Sequence, residues 1–341
     1  MERKTVYFTA PGQVELRQEA LPFINSDEVL VETRISAISA GTEMLVYRGQ
    51  FPRDMADAHD EVSSGLHYPL AYGYACVGKV IEIGASVPRK WEDRLIFAFQ
   101  PHTSHFIAKP RSLFLVPESI PAESACFLPN VETAVTLVQD AAPILGERVL
   151  VLGQGIVGLL VAALLHEFPL DRLVTADRFQ LRRKASLELG ADASLDPTFD
   201  DFHAAALRSY PGVQNGFDLT LELSGNPSAL DDAIALTAFS GRIVIGSWYG
   251  EKRASVDLGG KFHRSRIKLI SSQVSSISPE LSGRWDKSRR FEAAWNVMKR
   301  LQPGKWISHK FQLDQAIQAY QLLDNSPELA LQVVLEYGNS S

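Results

Sequence analysis

Three glycines at G-x-G-x-x-G spacing follow a short apolar run and precede an apolar helix. They are Gly153, Gly155 and Gly158, with Ile156 and Val157 in the gap before the third. In this arrangement the first glycine makes a tight turn, the second lets the backbone approach a pyrophosphate, and the third lets the helix pack closely on the strand. Free N–H groups at the helix N-terminus favour the negative charge of a phosphate. These five residues are therefore predicted to bind a dinucleotide, and a glycine turn in another kind of parallel sheet is the alternative.

An acidic residue stands where such a turn requires one. The apolar run 173–176 ends in Asp177, 19 positions after Gly158. A carboxylate at this point binds the ribose hydroxyls of the adenosine half and repels a 2′-phosphate, which favours NAD. Arg178 and Arg182 follow, and arginines here can cradle a 2′-phosphate, so NADP stays possible.

Two further apolar runs end in residues suited to the nicotinamide half of the cofactor. Ser224 and Gly225 follow one predicted strand, and Ser247 and Trp248 follow another. Because the carboxyl ends of parallel strands meet at one edge of the sheet, these residues are expected to lie beside the dinucleotide. Packing into the core is the alternative for Trp248.

Composition excludes several classes of protein. The chain has 341 residues, enough for two domains, and 40 acidic against 34 basic residues, which argues against nucleic acid as a partner. No apolar stretch reaches the ~18 residues of a membrane span, and the N-terminus has no signal-peptide pattern. Two cysteines cannot build a disulfide framework. We therefore expect a cytoplasmic protein that acts on a small molecule, without a membrane or nucleic-acid partner.

The pattern of predicted elements changes along the chain. The first ~115 residues are rich in strands and turns, with a polar, acidic surface excursion at 53–67. From about residue 121 helices alternate with short apolar strands, including a helix over 228–239 before a strand over 242–245. The loop at 39–43 follows a long strand. The alternation predicts an α/β fold with a parallel sheet.

This order of parts resembles the medium-chain dehydrogenase/reductase superfamily. Besides the glycine turn and Asp177, the resemblance rests on the stretch 73–84, on Asp93-Arg94 and on 222–225. It implies a GroES-like β-rich catalytic domain over 1–118 and 303–341, and a Rossmann doubly wound parallel-sheet domain over 119–302. It also implies a cofactor cleft between the domains and a homodimer. The Ser-Ala-Gly-Thr-Glu loop looks similar to the bacteriochlorophyllide dehydrogenase branch.

The chain departs from the zinc-binding pattern of that superfamily. The residues matching the first two zinc-ligand positions are Ser39 and Tyr74, and the third falls near Pro129 or Asn130. The cysteine cluster of the structural zinc is absent, since the chain has only two cysteines. Zinc needs three or four cysteine, histidine or carboxylate ligands. We therefore expect no metal site and a zinc-free enzyme.

Without zinc, hydrogen-bond donors must stabilise the negative oxygen that develops when a hydride moves. Tyr74 is the best candidate for proton donor, with filling of the vacated metal pocket as the alternative. Glu43 matches an acidic position that orients groups or bonds backbone. Ser39 and Thr42 are candidates to bond the substrate or the nicotinamide ribose, or else to cap the loop. His102 is a candidate for proton exchange, or else a plain hydrogen-bonding residue.

The resemblance and these residues predict an oxidoreductase that transfers a hydride between NAD(P) and an alcohol or ketone in a biosynthetic pathway. Reduction of an enone or quinone, the usual work of zinc-free members, is the second hypothesis. A cofactor-binding sensor or structural protein without turnover is the third.

Overall fold

The computed structural model describes residues 1–51, 67–209 and 215–338. Most of the predicted surface excursion at 53–67 lies outside these residues. The chain divides into two compact units. The first, called unit 1, comprises Met1–Pro129 and Trp295–Ser341, and the second, unit 2, comprises Asn130–Ala294.

Strands dominate the first third of the chain, and helices alternate with strands after it. The strands are β1 (Glu2–Ala10), β2 (Gln13–Ala20), β3 (Val29–Ile38), β4 (Leu70–Ala71), β5 (Cys76–Ile83), β6 (Leu95–Ala98), β7 (His105–Ala108), β8 (Phe114–Leu115), β9 (Arg148–Leu152), β10 (Arg172–Ala176), β11 (Ala193–Leu195), β12 (Phe217–Glu222), β13 (Thr237–Ile245), β14 (Lys268–Ser271), β15 (Ile307–Gln312) and β16 (Gln332–Glu336). The α-helices are α1 (Thr42–Tyr47), α2 (Ala122–Ala125), α3 (Leu128–Ala141), α4 (Ile156–Leu165), α5 (Gln180–Glu188), α6 (Phe202–Arg208), α7 (Ala229–Leu236), α8 (Lys287–Leu301) and α9 (Ala316–Asn325).

Unit 1 contains two sheets. A three-stranded sheet has the order β2-β1-β4, and a larger sheet runs β15-β16-β3-β5-β6-β8, with β7 paired to β3. Strand β16 pairs antiparallel with β3, so that Val333 lies opposite Ile38. The end of the chain therefore completes a sheet that the first hundred residues begin.

Aromatic side chains form the centre of the unit 1 core. The ring of Tyr320, from α9, packs edge-on to Phe8 at 5.1 Å between centroids and stacks on Tyr47, from α1, at 5.6 Å. All three are buried. Burying a large apolar side chain contributes roughly 1.5–3 kcal/mol, so this cluster holds the N-terminal strands, α1 and the C-terminal helix together.

Unit 2 is one parallel sheet of order β11-β10-β9-β12-β13-β14 with helices between its strands. Strand β9 is flanked by β10 and β12, with Leu152 aligned with Ala176 on one side and Glu222 on the other. Helix α4 is buried over Gly158–Leu165, as its apolar sequence requires. The predicted α/β fold, with a β-rich part and a parallel-sheet Rossmann-type part, is confirmed. In the described residues no helix is both long and apolar enough to cross a bilayer.

Two predicted element boundaries were wrong. The helix predicted over 228–239 ends at Leu236, and Thr237 already begins β13. Thr237 pairs with Phe217 in the register, and its hydroxyl bonds that of Thr220 at 2.8 Å, so pairing in the sheet overrides the helical pattern. The loop predicted over 39–43 is shorter, because Thr42 already begins α1.

Candidate functional site

The glycine turn in unit 2 has the geometry that its spacing predicts. Gly153 has φ +91°, and a Cβ there would lie 2.5 Å from backbone atoms of Ser224. A Cβ on Gly158 would lie 2.0 Å from the carbonyl oxygen of Gly153, whereas one on Gly155 would meet nothing within 4 Å. Two glycines therefore permit close packing, and Gly155 borders open space.

Helix α4 begins directly after this open space. Gly155 is its N-cap, and Ile156 and Val157 form its first turn. N–H groups in the first turn of a helix have no intrahelical acceptor and carry the positive end of the dipole. The turn therefore fits a pyrophosphate.

Asp177 lies beside the glycine turn, at the end of β10. One carboxylate oxygen accepts the Gln154 N–H and the other the Phe179 N–H, each at 2.8 Å. The side chain is nearly buried, at 7 % exposure. Each oxygen retains a lone pair that can accept a ribose hydroxyl, so the structure brings Asp177 and the glycine turn together as predicted.

Two arginines flank this carboxylate. The guanidinium groups of Arg178 and Arg182 lie over the ring of Phe179, at 4.4 and 4.8 Å from its centroid. The Arg182 guanidinium is also 3.9 Å from Asp177. Arg178 is exposed, so a 2′-phosphate beside Asp177 would meet at least one accessible guanidinium.

The predicted nicotinamide-side residues lie at the carboxyl ends of β12 and β13. The Ser247 hydroxyl accepts the Gly225 N–H at 2.9 Å, which joins the two loops. Trp248 is 37 % exposed and is therefore not part of the core. Ser224 donates its N–H and its hydroxyl to Glu222, a residue that sequence reasoning did not place in the site.

Glu222 is completely buried at the end of β12. Its second carboxylate oxygen accepts the hydroxyl of Tyr249 at 2.5 Å. Burial, and then the charge of Glu222, raises the pKa of Tyr249, which keeps this phenol a hydrogen-bond donor. A glutamate inside the apolar run 219–223 was the available clue, because a buried carboxylate in a strand needs specific partners.

In unit 1, the structure brings Tyr74, Ser39 and Thr42 together. The side chains of Ser39 and Thr42 lie close to the Tyr74 hydroxyl, where they act to lower the pKa of the phenol. Burial, followed by the charge of Glu43, raises the pKa of Tyr74 to about 12. The phenol is therefore protonated throughout the neutral range and is available as a hydrogen-bond donor.

Glu43, in the first turn of α1, is completely buried and directly follows the loop that contains Ser39. One oxygen accepts the Ser39 N–H at 3.0 Å, and the other is bonded to the Tyr320 hydroxyl at 2.7 Å and to His102 Nε2 at 2.8 Å. The carboxylate thus holds the backbone of the loop that contacts Tyr74. It does not face an open space from which a substrate could reach it.

His102 is equally buried, and both of its ring nitrogens have partners within unit 1. Nε2 lies against Glu43, and Nδ1 is 2.6 Å from the Ser36 hydroxyl, which is 2.7 Å from that of Tyr337. Because a carboxylate only accepts, Nε2 is the donor to Glu43. A Cβ on Gly73, whose φ is +123°, would lie 2.8 Å from the His102 ring. His102 therefore supports the turn before Tyr74.

Ser36, Tyr320 and Tyr337 were not predicted as part of this network. Tyr320 and Tyr337 lie more than 200 residues from the loop they support, and nothing local in the sequence marks them. Sequence reasoning therefore missed them.

The side chains that the structure describes form no site that fits a zinc ion. Among residues 1–51, 67–209 and 215–338, no group of three histidine, cysteine or carboxylate side chains is arranged to hold a metal. The two cysteines are buried, and burial raises their pKa values, that of Cys76 to about 12, so neither presents a thiolate. Catalytic zinc sites use three such ligands.

Comparisons with known proteins agree with the fold. Residues 157–291 match the model of a family described as zinc-binding dehydrogenase. The chain is similar to D-guloside 3-dehydrogenase of Escherichia coli, with 23% identity over 99% of this chain and 98% of that protein. The structure resembles 2R,3R-butanediol dehydrogenase from Bacillus subtilis, with a TM-score of 0.79, 19% identity, and coverage of 99% and 100% of the two chains.

Two similar structures contain a nicotinamide cofactor. A zinc-binding-type dehydrogenase from Sinorhizobium meliloti is bound to NADP (TM-score 0.77, 18% identity, covering 98% of this chain and 99% of that one). An alcohol dehydrogenase from E. coli is complexed with NADH (TM-score 0.77, 17% identity, with the same coverage). At such identities the likeness shows the fold. Together with the family match, it supports the expectation of an NAD(P)-dependent oxidoreductase of the medium-chain, zinc-binding-type dehydrogenase superfamily.

Proposed function

We propose that this protein is a zinc-independent oxidoreductase that transfers a hydride between NAD(P) and an alcohol or ketone in a biosynthetic pathway. The observation that carries the proposal is the cluster of Tyr74, Ser39 and Thr42, in which a phenol with a raised pKa occupies the position that the family resemblance assigns to a metal ligand. The finer placement near the bacteriochlorophyllide dehydrogenase branch, suggested by the loop at 39–43, belongs to this proposal as well.

In unit 2, the residues that would hold the cofactor are those around the glycine turn. The first-turn N–H groups of α4 and the open space beside Gly155 fit a pyrophosphate. Asp177 fits a ribose diol and disfavours a 2′-phosphate, so we propose NAD as the main cofactor, with NADP tolerated through Arg178. When bound, the nicotinamide supplies or accepts the hydride.

In unit 1, Tyr74 is the proposed proton donor to the oxygen of the substrate during ketone reduction. Ser39 and Thr42 lie beside its hydroxyl, and Glu43 holds their loop by accepting the Ser39 N–H. A positioned general acid contributes roughly 10²–10⁴-fold to the rate. In the reverse direction the same group takes the proton of the alcohol.

Zinc independence is supported by the chemistry of the side chains. A phenol and a serine hydroxyl replace the ligand types that zinc prefers, and both nitrogens of the nearby His102 already have partners. Metal analysis of the purified protein tests the proposal. We expect far less than one zinc per chain, and stoichiometric zinc that survives dialysis would contradict it.

A turnover assay separates the proposed function from its alternatives. The purified protein is mixed with NADH or NADPH and a panel of ketones, enones and quinones, and oxidation of the cofactor is followed by absorbance. Turnover with ketones supports the proposal, and turnover confined to enones or quinones supports the second hypothesis. Tight cofactor binding without oxidation across the panel would indicate a sensor or structural protein.

We propose a homodimer through the side of β14 that pairs with no other strand among the described residues, at the end of the unit 2 sheet. Leu269 in that strand is 39% exposed and Phe239 in β13 is 68% exposed, and an uncovered apolar sheet edge is a ready surface for pairing with a second copy. Light scattering coupled to size-exclusion chromatography checks it. A monomer at high protein concentration would contradict the proposal.

A further inference from the structure

We propose that Glu222 and Tyr249 are positioning residues that shape the nicotinamide half of the dinucleotide site in unit 2. This inference rests on the proposed function, namely that the unit binds NAD(P). Neither residue needs to touch the cofactor. Both act through the loops that follow β12 and β13.

The position of Glu222 in the sheet is the first step. It ends β12 and is aligned with Leu152 of β9 on one side and Ile245 of β13 on the other. The order of strands reverses between β9 and β12, since β10 and β11 lie on the far side of β9. At such a switch point the loops diverge and leave the crevice in which ligands of parallel sheets bind.

The contacts of the carboxylate are the second step. One oxygen accepts from the N–H and the hydroxyl of Ser224, in the loop after β12, and the other accepts from Tyr249, in the loop after β13. Ser247 adds a second link between the same loops through the Gly225 N–H. The carboxylate therefore holds two loops at one mutual distance, rather than stabilising one of them alone.

The tight packing of Ser224 is the third step. A Cβ on Gly153 would approach its backbone to 2.5 Å, so no space remains for Ser224 to shift towards the glycine turn. If the Glu222 hydrogen bonds are lost, the loop that carries Ser224 can therefore relax only by moving away from the glycine turn. That movement alters the nicotinamide side of the crevice. Asp177 keeps its position, because its carboxylate stays bonded to the N–H groups of Gln154 and Phe179.

Binding measurements with whole and partial cofactors test the inference. The variants are Tyr249→Phe, which removes one hydroxyl and keeps the ring, and Glu222→Gln, which places an amide NH₂ against a hydroxyl or N–H donor. Affinities for NADH and for AMP are measured by titration calorimetry on the full chain. We expect NADH binding to weaken about fivefold to tenfold in each variant, the usual effect of one lost buried hydrogen bond, with AMP binding within about twofold of wild type.

Asp177→Ala is the matched control, because it removes the carboxylate of the adenosine half. It should weaken AMP and NADH together. The opposite patterns of Asp177→Ala and Tyr249→Phe distinguish a local role at the nicotinamide half from a general loss of structure, which would weaken both ligands in every variant.

Three outcomes would overturn the inference. If both variants bind NADH as tightly as the wild type, the hydrogen bonds of Glu222 to Ser224 and Tyr249 have no influence on the cofactor site. If they lose AMP and NADH equally, Glu222 and Tyr249 act on the unit as a whole. If the wild type binds AMP but neither NADH nor NADPH, the proposed function itself fails, and the inference fails with it.

Discussion

Glu43 in unit 1 and Glu222 in unit 2 are two completely buried carboxylates with similar partners. Each accepts a backbone N–H from its own loop, Ser39 in one case and Ser224 in the other, and each accepts a tyrosine hydroxyl. They differ in how far along the chain they reach. Glu43 bonds His102 and Tyr320, which lie 59 and 277 residues away, whereas the partners of Glu222 lie within 27 residues.

The difference shows that the same chemistry serves two purposes. Glu43 joins the N-terminal strands, the turn before Tyr74 and the C-terminal helix α9, so the integrity of unit 1 depends on it. Glu222 joins two neighbouring strand-end loops of a sheet that backbone pairing already holds together. Loss of Glu43 should therefore affect folding most, and loss of Glu222 should affect local geometry.

The largest expected effect is on stability. Glu43→Ala leaves the Nε2 of His102 without its acceptor in a fully buried site. The Tyr320 hydroxyl and the Ser39 N–H lose the same acceptor, and each buried donor left unsatisfied costs about 1 to 3 kcal/mol, so we expect the free energy of unfolding to fall by about 3 kcal/mol or more. Glu222→Ala leaves hydroxyl and N–H donors without their acceptor and should cost about 1 to 3 kcal/mol. Urea unfolding of both variants measures the difference. Equal losses of unfolding free energy would show that the two carboxylates matter equally for stability.

The next effect is on turnover. Tyr74→Phe removes the proposed proton donor and should lower kcat for ketone reduction about 100-fold, the lower range of general acid catalysis. NADH affinity should stay within about twofold, because the substitution leaves the glycine turn and Asp177, which are proposed to hold the cofactor, unchanged. Tyr7→Phe, which removes a tyrosine hydroxyl that bonds Glu19 elsewhere in unit 1, is the control and should leave kcat unchanged.

The pH dependence of stability checks the environment of Tyr74. Its pKa is raised from the ordinary value of 10.0 to about 12, so the folded state favours the protonated phenol. The stabilisation is complete below pH 10 and is lost as the pH rises towards 12. Tyr74→Phe should therefore lose stability less steeply than the wild type over this window. Identical slopes would show that the phenol is not buried as described.

A smaller effect concerns cofactor choice. Asp177→Ala removes the acceptor for the ribose hydroxyls and should weaken NADH binding about tenfold, while the loss of charge repulsion leaves NADPH binding unchanged or stronger. Arg178→Ala is the complementary variant and should weaken NADPH alone. Fluorescence titration of both cofactors measures the ratio. Tighter binding of NADPH than NADH by the wild type would contradict the preference for NAD.

The smallest effect tests one bond of the Glu43 network. Tyr320→Phe keeps the ring that packs on Phe8 and Tyr47 and removes only the hydroxyl that Glu43 accepts. We expect a loss of about 1 kcal/mol, the net value of one hydrogen bond. Because Glu43 retains His102 and the Ser39 N–H, kcat should change little. A loss as large as that of Glu43→Ala would mean that Tyr320, rather than His102, holds the carboxylate.

Sequence patterns predicted the parts of the molecule that depend on local order. The glycine turn and the apolar strand before it were predicted because each glycine meets a steric requirement of a few neighbouring atoms. Asp177 was predicted because it follows the next parallel strand. The boundary at Leu236 was misjudged, since pairing of Thr237 with Phe217 in β12 decides it and helical periodicity does not.

Candidate residues in unit 1 were named from the family resemblance together with their side-chain type, but their environment was not predictable. Sequence reasoning named Tyr74, Glu43 and His102, and left open whether each does chemistry or supports the structure. Whether a carboxylate faces solvent or a histidine depends on segments that are distant along the chain.

The sequence by itself determined the α/β architecture and the dinucleotide turn, because periodicity and glycine sterics are local properties. Only the tertiary structure decided that Glu43 and His102 form a buried pair and that Glu222 joins two loops through Tyr249. The physical reason is that a buried carboxylate must find its donors wherever the fold brings them, and in unit 1 the fold brings one from 277 residues away.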